Sequence, residues 1–308
     1  MAENRPTGQA ALVAVSVSTA WTSPEAPRPC DAPAIAARPD VARWVAQMTT
    51  EERLGLQNDK TLTQLLLGDR VLIDEVVDGW TKIVATVQPC PHLDRRGYIG
   101  WIPSAHLAPH DGIYHSHAEV YIVNSITSTL LASPDGKPTD ITAVLGTRLT
   151  VAGPAKARYL PVIVPGRAEP LWATLSDLVT APTQPPTAAD VLDIAERLVG
   201  VPYIWGGASS YGIDCSGLVY LAHRHAGFSV PRDADDQAEA SRALGSEEEA
   251  QPGDLHFFAR PDSAIHHVGI VRGDQQTLHA SGTAGRVQHD VIAGELANTL
   301  VATHRTVR

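Results

Sequence analysis

The sequence predicts an α+β protein in three parts, two small β-barrels followed by a unit that opens with helices and closes with strands. Three observations carry that expectation. Pro and Gly punctuation breaks the chain at His110-Asp111-Gly112 and at Ala181-Pro182-Thr183-Gln184-Pro185-Pro186, the second of which reads as a stiff linker. The two segments before the linker hold short strand-like runs joined by turns, interrupted by one longer insertion. Beyond the linker, helical periodicity comes first and strands follow. The expected parts are 1–112, 113–181 and 187–308.

In the first part, Val13, Val15 and Val17 alternate with small residues and stop at Trp21-Thr22-Ser23-Pro24, the pattern of one strand running into a turn. A helix is expected around Val41–Met48 inside the insertion, then strands at Val71–Val77, Trp80–Gln88 and Tyr98–Ile102. The second part repeats the theme with Val120–Val123, Leu149–Val151, Leu160–Val164 and Leu171–Leu175. Leu67-Gly68-Asp69-Arg70-Val71 is echoed by Leu145-Gly146-Thr147-Arg148-Leu149, each ahead of a strand, so the two parts read as a degenerate repeat. In the third part Thr187 and Asp190 start a helix whose face carries Val191, Ile194, Ala195 and Leu198, and Gly200 ends it. A second helical face of Leu218, Val219, Ala222 and Ala226 closes at Gly227, before strands at Leu255–Phe258, Ile265–Val271 and Thr277–Ala280.

Composition bounds the function. A chain of 308 residues suits two or three domains, and 44% hydrophobic with 19% charged residues and a mean hydropathy of −0.07 describe a packed chain rather than a disordered or fibrous one. No apolar run reaches the roughly 20 residues of a spanning helix, so membrane insertion is not expected. With 24 Lys+Arg against 34 Asp+Glu, a net charge of −10 argues against nucleic acid as partner. Ala10–Val17 resembles a secretory apolar core, but Met1–Gln9 sets Glu3 against Arg5 and lacks the positive leader that such a core needs. A cytoplasmic location is the expectation, with a secreted or wall-associated one as the alternative. Oligomeric state is not legible.

Cys30, Cys90 and Cys215 cannot build a disulfide framework and are not spaced like metal-binding pairs, so neither a metal nor a cofactor is expected. Cys215 lies in Gly212-Ile213-Asp214-Cys215-Ser216-Gly217-Leu218, where a Gly-rich turn becomes a helix. Unpaired N–H groups and positive potential at such an N-terminus favour a thiolate, and a depressed thiol pKa with fast alkylation below neutral pH is the expectation. A free cysteine is otherwise most often a small buried apolar side chain, the reading kept for Cys30 and Cys90. A nucleophile needs a base, and the base an orienter. His267 and His279 flank the turn Arg272-Gly273-Asp274, and a hairpin centred on Gly273 sets the two directly opposite, with β-carbons roughly 4.5–5.5 Å apart. His266 then points to the other face. The remaining histidines read as ordinary surface or core residues; His115 and His117 share a strand face, a weak metal signal.

These residues resemble the NlpC-type cysteine peptidases of bacterial cell-wall metabolism, papain-like enzymes marked by Tyr-x-Trp-Gly-Gly, Asp-Cys-Ser-Gly, His-Val-Gly and His-Ala. Here those phrases are Tyr203 to Gly207, Asp214 to Gly217, His267 to Gly269, and His279-Ala280, with Pro231-Arg232-Asp233-Ala234 and Gly253-Asp254-Leu255 also in place. The front of the chain, through Val15 to Pro24, Thr63-Gln64, Gly79 to Lys82 and Gly97 to Pro103, resembles the three-domain γ-D-glutamyl-L-diamino acid endopeptidases, in which two bacterial SH3-like barrels precede the catalytic domain. The resemblance implies Cys215 as nucleophile, His267 as base, His279 as its orienter and Tyr203 as a hydroxyl beside the oxyanion. It implies cleavage between the γ-carboxyl of D-glutamate and a diamino acid in peptidoglycan-derived peptides that begin with a free L-alanine. Asp214 and Ser216 would meet the ammonium, Trp205 would line the cleft, and the first barrel would add Tyr98 and an acid, for which Asp69 is chosen over Glu75. Two alternatives stay open at this point: a catalytically weak wall-peptide-binding module, and a papain-like amidase or acyltransferase.

Overall fold

The computed structural model describes residues 8–110, 119–245, 249–273 and 275–307, so the break at Asp111-Gly112, the His115 and His117 pair and the turn residue Asp274 lie outside the described residues. The first sheet is built from β1 (Ala10–Val13), β2 (Val17–Trp21), β3 (Thr61–Leu66), β4 (Arg70–Val77), β5 (Trp80–Ala85), β6 (Tyr98–Pro103) and β7 (Leu107–Pro109). The single strand expected around Val13, Val15 and Val17 is two strands. All three valines are buried, but the backbone turns at Ala14–Ser16 so that β1 pairs with β4 and β7 while β2 pairs with β3 and β6. One long strand would reach only two neighbours; the bend gives its halves four.

Between β2 and β3 the insertion folds into helices α1 (Ala32–Ile35), α2 (Val41–Gln47) and α3 (Thr50–Leu54). Asp40 caps α2 by accepting from the Arg43 N–H, and a reciprocal Thr49/Glu52 box starts α3. Trp44, Val45, Met48 and Leu56 of this insertion do not join the core of their own sheet. They pack, with Trp21, into the core of the third part.

The second sheet contains β8 (Val120–Val123), β9 (Thr127–Leu131), β10 (Pro138–Val144), β11 (Arg148–Val151), β12 (Tyr159–Ile163), β13 (Leu171–Thr174) and β14 (Leu178–Thr180). Its strand order, β10-β9-β13-β12-β11-β8-β14, is that of the first sheet, β3-β2-β6-β5-β4-β1-β7, advanced by seven. The echoed phrases occupy equivalent turns. Gly68 and Gly146 both adopt left-handed φ, of 83° and 82°, which a β-carbon would resist. The next side chain then accepts the N–H three residues back: Asp69 from Leu66 at 2.9 Å, Thr147 from Val144 at 3.1 Å. Thr- and Ser-rich β9 and Pro-initiated β10 were not legible as strands.

The third part opens with α4 (Ala188–Glu196), started by the Thr187/Asp190 capping box. After the short pair β15 (Ala208–Ser209) and β16 (Gly212–Ile213) come α5 (Cys215–His225), α6 (Ala234–Ala240) and β17 (Arg242–Ala243). Strands β18 (Leu255–Ala259), β19 (Ile265–Gly273), β20 (Gln276–Ser281) and β21 (Arg286–Val291) follow, then α7 (Gly294–Thr299) and β22 (Leu300–Arg305). The sheet order is β17-β22-β18-β19-β20-β21. Helix α5 is buried along almost its whole length against this sheet, because Leu218, Val219, Leu221 and Ala222 meet Val268, Ile270 and Leu278 in one apolar cluster. That packing brings the start of α5 against β19.

Candidate active site

Asp214 caps α5, its carboxylate accepting the Gly217 N–H at 2.7 Å, and so fixes Cys215 as the first helical residue. Gly217 must lack a side chain, since a β-carbon there would stand 2.1 Å from the Gly207 carbonyl oxygen. The sulfur of Cys215 is reached by the backbone N–H groups of Ser216 and of Val268 on β19. His267 therefore stands on the strand beside the nucleophile. Its Nε2 lies 2.6 Å from His279 Nδ1, and His279 Nε2 lies 2.9 Å from Asp290 Oδ2, which also accepts the Gln288 amide at 2.8 Å. Asp290 accepts, so His279 Nε2 carries a proton and its Nδ1 is bare; His267 Nε2 then donates, leaving His267 Nδ1 as a free base. The hydrogen-bond chain dictates which nitrogen of His267 is left without a proton.

The structure sets His267 against His279 and Tyr203 near Cys215, with Val268, the residue after His267, at the Cys215 sulfur, but the two histidines do not meet in the expected register. In the hairpin Ile270 pairs with Leu278, Val271 with Thr277 and Gly273 with Gln276. The turn is thus one residue further along than a centre on Gly273, with Gln275 in left-handed φ, and the ladder is shifted by two. A shift of two keeps every side chain on its face. His267 and His279 consequently meet as diagonal neighbours, ring centroids 4.9 Å apart, and His279 sits over Gly269, whose missing β-carbon would come within 3.2 Å of the His279 β-carbon. Asp290 is diagonal to His279 in the same way, because β20 and β21 pair His279 with Gln288. His266 is exposed on the other face.

The expected thiolate is also corrected. Burial, and next the adjacent Asp214 charge, push the Cys215 thiol up to about 12, while burial and then His279 pull His267 down to about 3. The N–H groups of Ser216 and Val268 favour the thiolate, but burial and the Asp214 carboxylate, which caps the helix through Gly217 N–H, outweigh them. Both shifts favour the neutral thiol and the neutral imidazole. Burial, followed by the Cys215 charge, holds Tyr203 well above the ordinary phenol value, so it remains an O–H donor at the site.

Asp214 is not available to a substrate ammonium. Its Oδ1 takes Gly217 N–H, Ser216 Oγ at 3.3 Å and Arg232 Nη1 at 3.0 Å, and its Oδ2 takes Gly206 N–H and Arg232 Nη2, both at 2.8 Å. Ser216 Oγ is occupied likewise, accepting from Arg232 Nη1 at 2.9 Å. Arg232, fully buried, uses its remaining donors on the Gly207 carbonyl and on Thr63 Oγ1 of the first sheet at 3.0 Å. Asp69 is placed elsewhere: it is buried at the other end of α5, paired with Arg224 Nη1 at 3.0 Å and with Nη2. It is a tie between parts, nine residues along the helix from the nucleophile.

Tyr98 does reach the third part. Its hydroxyl donates to Asp233 Oδ2 at 3.0 Å, next in sequence to Arg232 and at the start of α6. Arg232 is held by its bidentate bond to Asp214 and stands 3.9 Å from Asp233, whose side chain is 27% exposed and also lies 3.9 Å from His92 Nε2. Trp205 leaves its indole 42% exposed while its carbonyl accepts Thr61 Oγ1 at 2.7 Å. Sequence reasoning assigned no role to Asp290, Arg232 or Asp233. The charged pair after Pro231 was the available signal for the last two; for Asp290 only the unread strand β21 could have given one.

Residues 200–306 match the NlpC/P60 family. The chain is 32% identical over 276 residues to a γ-D-glutamyl-L-lysine dipeptidyl-peptidase of Bacillus subtilis, covering 89% of this chain and 90% of that one. It is 31% identical over 278 residues to a protein of the same name from Bacillus cereus, covering 88% of this chain and 82% of that one. A crystal structure of an NlpC/P60 family protein from Bacillus cereus superposes with a TM-score of 0.90 at 28% identity, over 97% of this chain and all of the other.

Proposed function

This chain belongs to the NlpC/P60 family of cysteine peptidases acting on peptidoglycan peptides, and from that premise we propose that it cuts the bond between the γ-carboxyl of D-glutamate and the following diamino acid in fragments that begin with a free L-alanine. The observation that carries the reading is the pairing of Tyr98 with Asp233, which sets a polar pair between the first sheet and the third part, next in sequence to the Arg232 that holds Asp214 beside Cys215. One guanidinium faces two carboxylates there, Asp214 takes it, and Asp233 is left to attract an ammonium.

In the reaction His267 Nδ1 accepts the Cys215 proton as sulfur bonds to the γ-carbonyl carbon. The imidazolium is supported through His279 by Asp290, and the Tyr203 O–H faces the developing oxyanion. Collapse breaks the C–N bond, His267 passes its proton to the leaving amine, and water then cleaves the thioester with His267 again as base. A substrate whose alanine is acylated brings no positive charge to Asp233 and more bulk to the wall behind it, so released fragments are preferred over intact wall. That preference suits recycling of wall peptides in the cytoplasm.

The test is hydrolysis of L-Ala-γ-D-Glu-L-lysine and its diaminopimelate counterpart beside their N-acetylated forms, with product masses reporting the bond cut. The free-amine peptides are expected to react at least tenfold faster in kcat/KM, and Asp233→Asn to remove most of that advantage. Equal rates for free and acetylated peptides would overturn the ammonium reading.

A further inference from the structure

The sequence offered Cys90 and His92 as ordinary loop residues, yet the fold sets them against α6. A tight turn holds them, with the Leu93 and Asp94 N–H groups both bonded to the Cys90 carbonyl at 3.1 and 3.0 Å. The backbone ties this turn to the catalytic part: Arg232 N–H donates to the Pro89 carbonyl at 2.9 Å, so the residue before Cys90 is bonded to the residue before Asp233. Three potential metal-binding atoms then form a nearly equilateral triangle. Cys90 Sγ lies 3.9 Å from His92 Nε2 and 3.8 Å from Asp233 Oδ2, and the last two are 3.9 Å apart. The centre of such a triangle is about 2.2 Å from each corner, within the range of Zn–S, Zn–N and Zn–O bonds. His92 Nδ1 is held 2.8 Å from Asp236 Oδ2 and lies 3.6 Å from Cys90 Sγ, so the ring meets the sulfur side-on, and a turn of the imidazole about its Asp236 bond brings the Nε2 lone pair into the triangle, the carboxylate–imidazole arrangement of metal sites. The His92 side chain is 41% exposed, which leaves a way in for an ion, while Cys90 itself is buried.

We propose that Cys90, His92 and Asp233 bind a thiophilic divalent cation of the zinc class across the seam between the first sheet and α6, with Asp236 as the positioning residue. On binding, the Cys90 thiol releases its proton to solvent as the metal–sulfur bond forms, and water fills the fourth coordination position. The ion staples the cleft wall to the catalytic part. It also takes Asp233, so it competes with the substrate ammonium; this half rests on the reading of Asp233 given above.

The test is titration of the full-length Cys215→Ala protein with Co²⁺, since removing the catalytic thiol leaves Cys90 and Cys30 as the only sulfur donors of the cysteine type. A saturable sulfur-to-cobalt charge-transfer band displaced by one equivalent of Zn²⁺ is expected. Cys90→Ser should abolish the band, Cys30→Ser should leave it, and Asp236→Asn should weaken Zn²⁺ binding at least tenfold. A band that survives Cys90→Ser, or no saturable binding in Cys215→Ala, overturns the site. Separately, Zn²⁺ should inhibit hydrolysis of free-amine peptides by the wild-type chain at concentrations at least tenfold lower than it inhibits the Cys90→Ser variant. If the band follows the mutations while inhibition does not, the metal site stands and the role of Asp233 toward the ammonium falls.

Discussion

The two β modules share one strand order and differ in what they touch. The first meets the catalytic part through Thr61, Thr63, Asp69 and Tyr98, and sends its insertion helices into the catalytic core. The second makes lighter contact: Ser210 donates to the Ile126 carbonyl, Arg197 to Asn124, and Val144 and Leu145 pack beneath α5. Even at the duplicated turn the uses diverge. Asp69 and Thr147 make the same local bond, but only the carboxylate can also hold Arg224. Topology supplied two equal scaffolds; side chains on the loops and edges of one of them tie it to the catalytic part.

Acid should separate the modules most strongly. His106 in the first module and His223, His225 and His256 in the catalytic part are pulled down to about 4, chiefly by burial, and His267 to about 3. The sequence places no histidine between residues 119 and 180. Because these imidazoles fold neutral, the unfolded chain takes up their protons first; the stability they contribute is complete above about pH 6.5 and is lost as pH falls toward 4. Hydrogen exchange at pH 4.5 against pH 7 should lose protection in the first module and the catalytic part while the second sheet keeps it. Uniform loss across all three would break the comparison.

Arg232→Met comes next, since it strands Asp214 as a buried unpaired charge and should cost about 3–5 kcal/mol in urea denaturation, with loss of turnover. Arg197→Met, at the exposed contact to the second module, should stay within about 0.5 kcal/mol. At the duplicated turn, Asp69→Asn should destabilise by about 2 kcal/mol by weakening the hold on Arg224, and Thr147→Val by about 1 kcal/mol for a single neutral bond. Matching values would mean the ion pair adds nothing to the local bond. The smallest effect compares two Tyr–Asp pairs. Tyr98→Phe should lower kcat/KM for free-amine peptides by about fivefold to tenfold, roughly 1 kcal/mol, whereas Tyr159→Phe, which loses a bond to exposed Asp135, should leave it unchanged. A loss in both would point to general loosening rather than a cleft wall.

What could be read from the sequence was local. The Thr187/Asp190 box, the stop at Gly227 and the Cys215 turn are decided within a few residues, and the structure has them as expected. His267 and His279 were paired correctly by face, although the hairpin slipped by two, because face follows from parity and register from the turn. Asp290 was hidden because β21, Arg286–Val291, alternates only weakly and lies at the edge of its sheet. Asp214 and Asp69 were given to the substrate because their partners, Arg232 and Arg224, are distant in sequence or unremarkable on a helix. A carboxylate beside a nucleophile looks the same on paper whether it greets a ligand or is already spoken for.

The insertion helices set a timetable for synthesis. Trp21 and Trp44, packed ring to ring at 5.9 Å, are covered by residues of the catalytic part beginning at Val191. A ribosome adding roughly 5–20 residues per second leaves these indoles without their final neighbours for roughly 8–30 s after they emerge. The first module can close its own smaller core in that interval, around Val13, Ile73 and Ile83, but its largest apolar side chains stay on offer to chaperones or to other nascent chains.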